Sequence, residues 1–303
     1  MFTRPPIRVC DGIPVFSESD RYVANYDAIA QDHLRSLARG SSSPFMMEDQ
    51  IQASDLATRA LVKKYLQDGA RVLEAGVGCG NLLKGVAGLD RHGVDISLDY
   101  LRVARDNGFS VAMSKLSELP YEREWFDGVV ACDVLEHLTD CDASVAQLHR
   151  VLKPGGILIV RVPNEEDMSS YVLDHRYHYC HVRSFSGASL RLYVEKCFGL
   201  EWIESDYCAS SFYAASQLLS RAPSMKSPLR SRIPALLRGT RRDRSTLRAA
   251  LRTLSECLST SLEHQVDALI LLRDHHPAVF RELAPELVRP AELLAVFRRS
   301  GQP

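Results

Sequence analysis

RVLEAGVGCG, Arg71 to Gly80, is an apolar run that ends on an acid and then alternates three glycines. Val72 and Leu73 predict a short buried strand with Glu74 at its tip. Gly76, Gly78 and Gly80 predict a turn shaped around a ligand, since glycine accepts positive φ and adds no bulk. The loop is not a dinucleotide fingerprint, because G-x-G-x-x-G starting at Gly76 needs glycine where Asn81 stands. It is not a phosphate-cradling P-loop either, because no Gly-Lys-Ser/Thr follows. A tight strand-to-helix turn without a ligand is the remaining alternative. The acid weighs on the choice. A carboxylate ~5 Å from a docked pyrophosphate, at an effective dielectric of ~20, costs about 3 kcal/mol. The same carboxylate suits a ligand that carries an ammonium and a sulfonium.

Outward from this loop the pattern alternates short strands with helices. RHGVDI, FSVAM, FDGVVAC and ILIVRVPN read as strands, and SLDYLRVARDNG and CDASVAQLHRVLKPGG as helices stopped by glycine or proline. Such alternation implies parallel pairing and a doubly wound sheet, with ligands at the carboxyl ends of the strands. FSGASLRLYVEKCFG then reads as a helix and LEWIESDYC as a strand. Upstream, a helix capped at Ser19 or Asp20 runs to about Gly40, and a second spans about Glu48 to Leu66. The expected fold is α/β: a doubly wound, Rossmann-like, mostly parallel seven-stranded sheet with an N-terminal helical lid, a helical insertion and C-terminal helices. Four segments are expected: a lid at 1–50, a core at 51–211, a basic insertion at 212–262, and a last strand (Val266 to Arg273) with a helical tail at 263–303.

Composition bounds the function. The 303 residues are 46% hydrophobic and 25% charged with a net charge of -1, which provides a core and no global field toward nucleic acid or membrane. Eight cysteines lie scattered without a CxxC, which signals neither a zinc knuckle nor a redox motif, so the chain reads as a reduced, cytoplasmic protein. His175, His178 and His181, spaced by three, are conceivable metal ligands, but no carboxylate cluster beyond Asp174 accompanies them, and no metal is expected. No run approaches 18 apolar residues.

The ligand that pairs an ammonium with a sulfonium is S-adenosylmethionine. Four blocks in order, VLEAGVGCG, GVDIS, LPYEREWFDGVVACDVLEHL and LHRVLKPGGILIVRVPN, resemble the class I S-adenosylmethionine-dependent methyltransferases, over about residues 45–210. The resemblance implies that Glu74, Ala75, Gly76 and Gly78 hold the amino-acid end of the cofactor. It implies that Asp95 accepts the ribose hydroxyls and that Ile96 lies against adenine. Ser114, Lys115 and Leu116 fall at the adenine edge, and Cys132 and Asp133 at the end of the fourth strand of the family sheet. Relatives carry an acid where this chain has Lys115, and a lysine accepts no hydrogen bond, so adenine falls to Ser114 or to backbone near Leu116. The product is S-adenosylhomocysteine.

Candidate catalytic groups follow strands four and five of the family sheet. His137, in DVLEHL, is a base or a packed histidine. HVRSFS resembles the H-x-R-x-F of small-molecule enzymes related to quinone-ring methylases, which makes His178 and His181 base candidates and Tyr177 and Arg183 substrate contacts. Tyr22, Tyr26 and His33 share one face of the first helix and could cover the acceptor or simply pack. Between Arg221 and Arg252 stand ten Lys or Arg and one acid, Asp243. That stretch is a solvated surface, or a patch for a phosphate-bearing substrate or a membrane surface. Few aromatics interleave it, so nucleic acid is not expected. The expected activity is methylation of a hydroxyl or amino group on a small molecule of natural-product, sugar or quinone type. The alternatives are a methyltransferase for RNA or protein and a cofactor-binding regulator without catalysis.

Overall fold

The computed structural model describes residues 1–40, 48–166, 168, 177, 180–210, 277 and 290–301. The glycine loop follows β3 (Arg71–Ala75), and the chain then winds through α3 (Asn81–Lys84), β4 (Asp90–Asp95), α4 (Leu98–Asp106) and β5 (Ser110–Met113). It returns to the other side of β3 with β6 (Phe126–Cys132), α5 (Cys141–Val151) and β7 (Leu152–Pro163). β3 pairs in parallel with both β4 and β6, so the winding reverses between β3 and β6. Ala75 lies level with Val94 and Ala131, which brings the strand tips Glu74, Asp95 and Cys132 to one edge.

Side-chain parity sorts the core into two layers. Leu73, Ala75, Val129, Ala131, Leu158 and Val160 pack on one face of the sheet. Val72, Val130, Ile157 and Ile159 pack on the other, with Val62 of α2 (Glu48–Tyr65) and Leu82 and Leu83 of α3. Alternation therefore assigns Glu74 and Arg161 to the second face, beneath α2.

Three expectations need correction. The sheet has nine strands, in the order β1-β2-β5-β4-β3-β6-β7-β9-β8. The additional two form a hairpin, β1 (Arg8–Cys10) with β2 (Ile13–Val15), whose second strand joins the edge at Val15 and Met113. Residues 8–15 thus extend the sheet and do not belong to a lid. Ile13 and Val15 are fully buried there, and α1 (Arg21–Ala38) is the helical part of the N-terminal segment, capped by the Asp20 carboxylate on the Val23 N–H.

The second correction is at the other end. β8 (Leu200–Ser210) is as expected, but β9 (Pro290–Arg299) lies where a helical tail was read. It runs antiparallel to β7 from Pro163 and Glu292 to Ile157 and Arg298. Leu293 through Phe297 are all buried, so the strand is apolar on both faces and shows no period-two signal. The third concerns FSGASLRLYVEKCFG, whose α-helix is short: α6 (Gly187–Arg191) passes into a π-turn at Leu192–Cys197. Two compact units are distinguished, Met1–Ala209 with Glu292–Pro303, and Ser210–Ala291. Val266 to Arg273 and the basic segment 212–262 lie outside the described residues. Among the described residues, no helix is long and apolar enough to cross a membrane.

Candidate functional site

The three glycines do different things. A Cβ on Gly76 would stand 2.4 Å from Val134, and one on Gly80 2.7 Å from Phe109, so these two are glycines because neighbouring side chains fill the space. Gly78 also has a positive φ, of 50°, but nothing lies within 4 Å of where its Cβ would be. Its N–H donates to Asp95 Oδ2 at 2.9 Å, and the Ser97 N–H donates to Asp95 Oδ1 at 2.9 Å. Asp95 thereby ties the glycine loop to the start of α4. Burial raises its carboxyl above the usual range, and the backbone bonds oppose that shift. Ile96 beside it is half-buried.

Glu74 is not where the loop electrostatics put it. It is 5% exposed, and its Oε2 accepts from the Leu83 N–H of α3 at 3.3 Å. Burial pushes its carboxyl up to about 8, and the charge of Asp55 adds to the rise. The reason is parity: Glu74 faces α2 and α3 within the core, while Ala75, also buried, faces the other layer. Glu74 is therefore a neutral, buried hydrogen-bonding acid at ordinary pH, not an exposed charge on the loop.

At the adenine edge, Lys115 does not stand alone. Its Nζ pairs with Asp20 at 2.5 Å, and its N–H donates to Ser17 Oγ at 2.9 Å. The residue that departs from the family pattern thus fastens the N-cap of α1 to the sheet. Ser114 is buried, and its hydroxyl donates to the Lys115 carbonyl at 2.9 Å, so it turns inward. Leu116 packs into the core.

Cys132 and Asp133 end β6. Burial raises the Cys132 thiol, which keeps it protonated. Asp133 adopts a positive φ of 56° and receives both arms of Arg161, at 2.6 and 3.2 Å. Arg161 is 5% exposed and also donates to Asp55 and Thr58, at 3.1 Å each. This network escaped sequence reading, although an arginine inside ILIVRVPN is a signal, since a charge in an apolar strand requires partners.

The segment after β6 gathers the aromatic and titratable groups. His137 meets His181 edge-on with ring centres 4.5 Å apart, and meets Tyr26 at 5.6 Å. Tyr22 stacks tilted on Tyr26 at 4.8 Å and donates to the His137 carbonyl at 3.4 Å. Burial, with the neighbouring His181, lowers His137 to about 3, so it stays neutral and is a weak proton acceptor. His181 Nδ1 bonds Glu166 Oε2. Glu136, overlooked beside His137, is 1% exposed, and neither carboxylate oxygen has a hydrogen-bond partner among the described residues.

Other candidates are placed elsewhere. His33 bonds Tyr100 of α4 at 2.8 Å, and Tyr177 donates to Asp32 at 2.7 Å. Arg183 donates to the Leu138 carbonyl at 2.6 Å, which pins the loop after β6. His178 lies outside the described residues.

Residues 73–160 match the family model described as a methyltransferase domain. The chain contains a class I S-adenosylmethionine-dependent methyltransferase domain. It is 32% identical over 109 residues to a tRNA (carboxymethyluridine(34)-5-O)-methyltransferase of Arabidopsis thaliana, covering 34% of this chain and 27% of that one. It is 29% identical over 161 residues to a ubiquinone biosynthesis O-methyltransferase of Xylella fastidiosa, covering 49% and 64%. The chain thus spans less than two thirds of these relatives' lengths. The methyltransferase solved with the Trm112 activator of Haloferax volcanii shares the fold, at TM-score 0.55 and 19% identity, over 94% of this chain and 99% of that one. The loop fits the methyltransferase domain's cofactor: Gly78 leaves open the space a side chain would fill, and Asp95 keeps lone pairs beyond its two backbone bonds.

Proposed function

We propose that this protein methylates a hydroxyl or amino group of a small molecule of natural-product, sugar or quinone type. The observation that carries the reading is the aromatic and imidazole wall of Tyr22, Tyr26, His137 and His181 beside the end of β6, which suits a compact, partly apolar acceptor. The resemblance of HVRSFS to the quinone-ring group and the likeness to the ubiquinone enzyme support the same class.

S-adenosylmethionine, when bound, supplies an electrophilic methyl on sulfur. Gly76 and Gly78 would admit its amino-acid end, and Asp95 would hold its ribose. Lys115 and Asp20 would close the adenine edge. The chain's contribution is positioning, which for a two-reactant step is worth much of the barrier. Tyr22 and Tyr26 remain phenols because burial raises both; Tyr22 donates to the His137 carbonyl, and the two rings exclude water. His137 is too weak a base to deprotonate an acceptor. The test is calorimetry followed by an acceptor panel. Wild type is expected to bind S-adenosylmethionine with micromolar affinity, and Asp95→Ala to weaken it about 100-fold (on the order of 3 kcal/mol). No binding by wild type would end the reading.

A second reading, an RNA acceptor, has the tRNA relative and the basic stretch in its favour. It requires steeply salt-dependent RNA binding that is lost when Arg241, Arg242 and Arg244 become alanine.

A further inference from the structure

Glu136 poses a chemical problem that the methyltransferase reading leaves unsolved. A carboxylate with almost no solvent contact and no hydrogen-bond partner on either oxygen among the described residues is costly, and the charges around it make matters worse. Asp133, Glu166 and Glu292 all act on it as like charges. Arg161, the nearby cation, is already engaged by Asp55 and Asp133. Glu292 is itself 3% exposed with one oxygen unpartnered among the described residues. This end of the sheet carries more buried acid than its arginine can neutralise.

Two imidazoles face the same place. One ligand atom each from Glu136, His137 and His181 lies within 4.8 Å of the others, and His137 Nε2 stands 3.9 Å from Glu136 Oε1. We propose that Glu136, His137 and His181 form a binding site for a divalent transition-metal ion of the zinc class. Two histidines and one glutamate are a donor set that such ions take, with nitrogens and oxygen about 2.0–2.2 Å from the metal and a fourth position left open. A tetrahedral shell of that radius needs its donors ~3.4 Å apart, so the three side chains close by roughly an ångström on binding.

The surroundings are those of a prepared site. Glu166 Oε2 bonds Nδ1 of His181, which fixes the orientation of the ring. The His137 and His181 side chains are 25% and 18% exposed, so the open position is reachable from outside. There the ion would hold an oxygen of the acceptor, and the wall of Tyr22 and Tyr26 would lie beside it. That use rests on the proposed methyl transfer, whereas metal binding itself does not.

The experiment titrates metal-free full-length protein with Co2+, followed by its visible spectrum, and with Zn2+ by calorimetry. Wild type is expected to bind one Co2+, to show the bands of a four- or five-coordinate nitrogen and oxygen site, and to release it to Zn2+. Glu136→Gln and His181→Asn should each weaken binding at least 100-fold, with circular dichroism verifying the fold. Glu166→Gln, which removes a positioning residue and no ligand, should weaken it 10- to 100-fold and shift the bands. S-adenosylmethionine affinity, measured on the same samples without metal, separates failure of this site from failure of the enzyme reading. The proposal falls if wild type binds no stoichiometric metal or if binding survives Glu136→Gln. It also falls if a thiolate charge-transfer band reveals cysteine ligation, or if an acceptor amine alone occupies the site.

Discussion

Arg161 and Glu136 are both deeply buried at the carboxyl end of the sheet, and they are opposites in construction. Arg161 distributes its donors over Asp55, Asp133 and Thr58, and each short bond offsets part of the cost of removing the charge from water. Glu136 has no such compensation among the described residues. A satisfied network fixes strand ends and helix α2 in place. An unsatisfied acid carries a desolvation cost that no partner among the described residues offsets. The same contrast divides the glycines. Gly76 and Gly80 are filled in by Val134 and Phe109, while Gly78 is left open.

Three substitutions can break or sharpen that comparison. Arg161→Ala removes both bonds to Asp133 and leaves Asp55 only its 3.4 Å pair with Arg59, and it should lower unfolding stability by about 3–5 kcal/mol in urea titrations. A loss below about 1 kcal/mol would show that the network is not structural.

Glu74→Gln should change the pH dependence of stability. The folded pKa of Glu74, about 8, lies above its ordinary 4.5, because burial favours the neutral acid. Its contribution is therefore fully present below pH 4.5 and is lost as pH rises through 8. The variant, neutral at every pH, should match wild type near pH 4 and exceed it above pH 8 by up to about 5 kcal/mol. Parallel stability curves for the two proteins would contradict the burial argument.

Glu136→Met gives the smallest effect and the opposite sign. Exchanging an unpartnered carboxyl for an apolar side chain of similar length should stabilise the metal-free protein by about 1 kcal/mol, read as a rise in thermal midpoint. If it destabilises instead, as Arg161→Ala does, Glu136 has a structural partner and the contrast between the two groups disappears.

Much of this was written in local pattern. The alternation from Arg71 to Asn164 set the parallel strands, because a strand that must be followed by a crossover helix leaves both periods in the sequence. The spacing of Asp95 after the glycine loop was equally legible, and the two are joined through the Gly78 N–H. β9 was not legible: ELLAVF serves as well for a helix as for a strand buried on both faces, and only pairing with β7 decides. The N-terminal hairpin escaped for a similar reason, since an edge is defined by the strand it joins.

The sequence by itself determined the central parallel strands, their winding and the glycine turn, because those depend on residues close along the chain. Tertiary structure decided which charges are compensated. Glu74 became a buried acid, Lys115 a clasp for α1, and Glu136 a carboxyl without a hydrogen-bond partner among the described residues. These outcomes depend on which distant side chains share a face, and on how little water reaches them. Electrostatic cost is a property of the assembled surroundings, which no short stretch of residues contains.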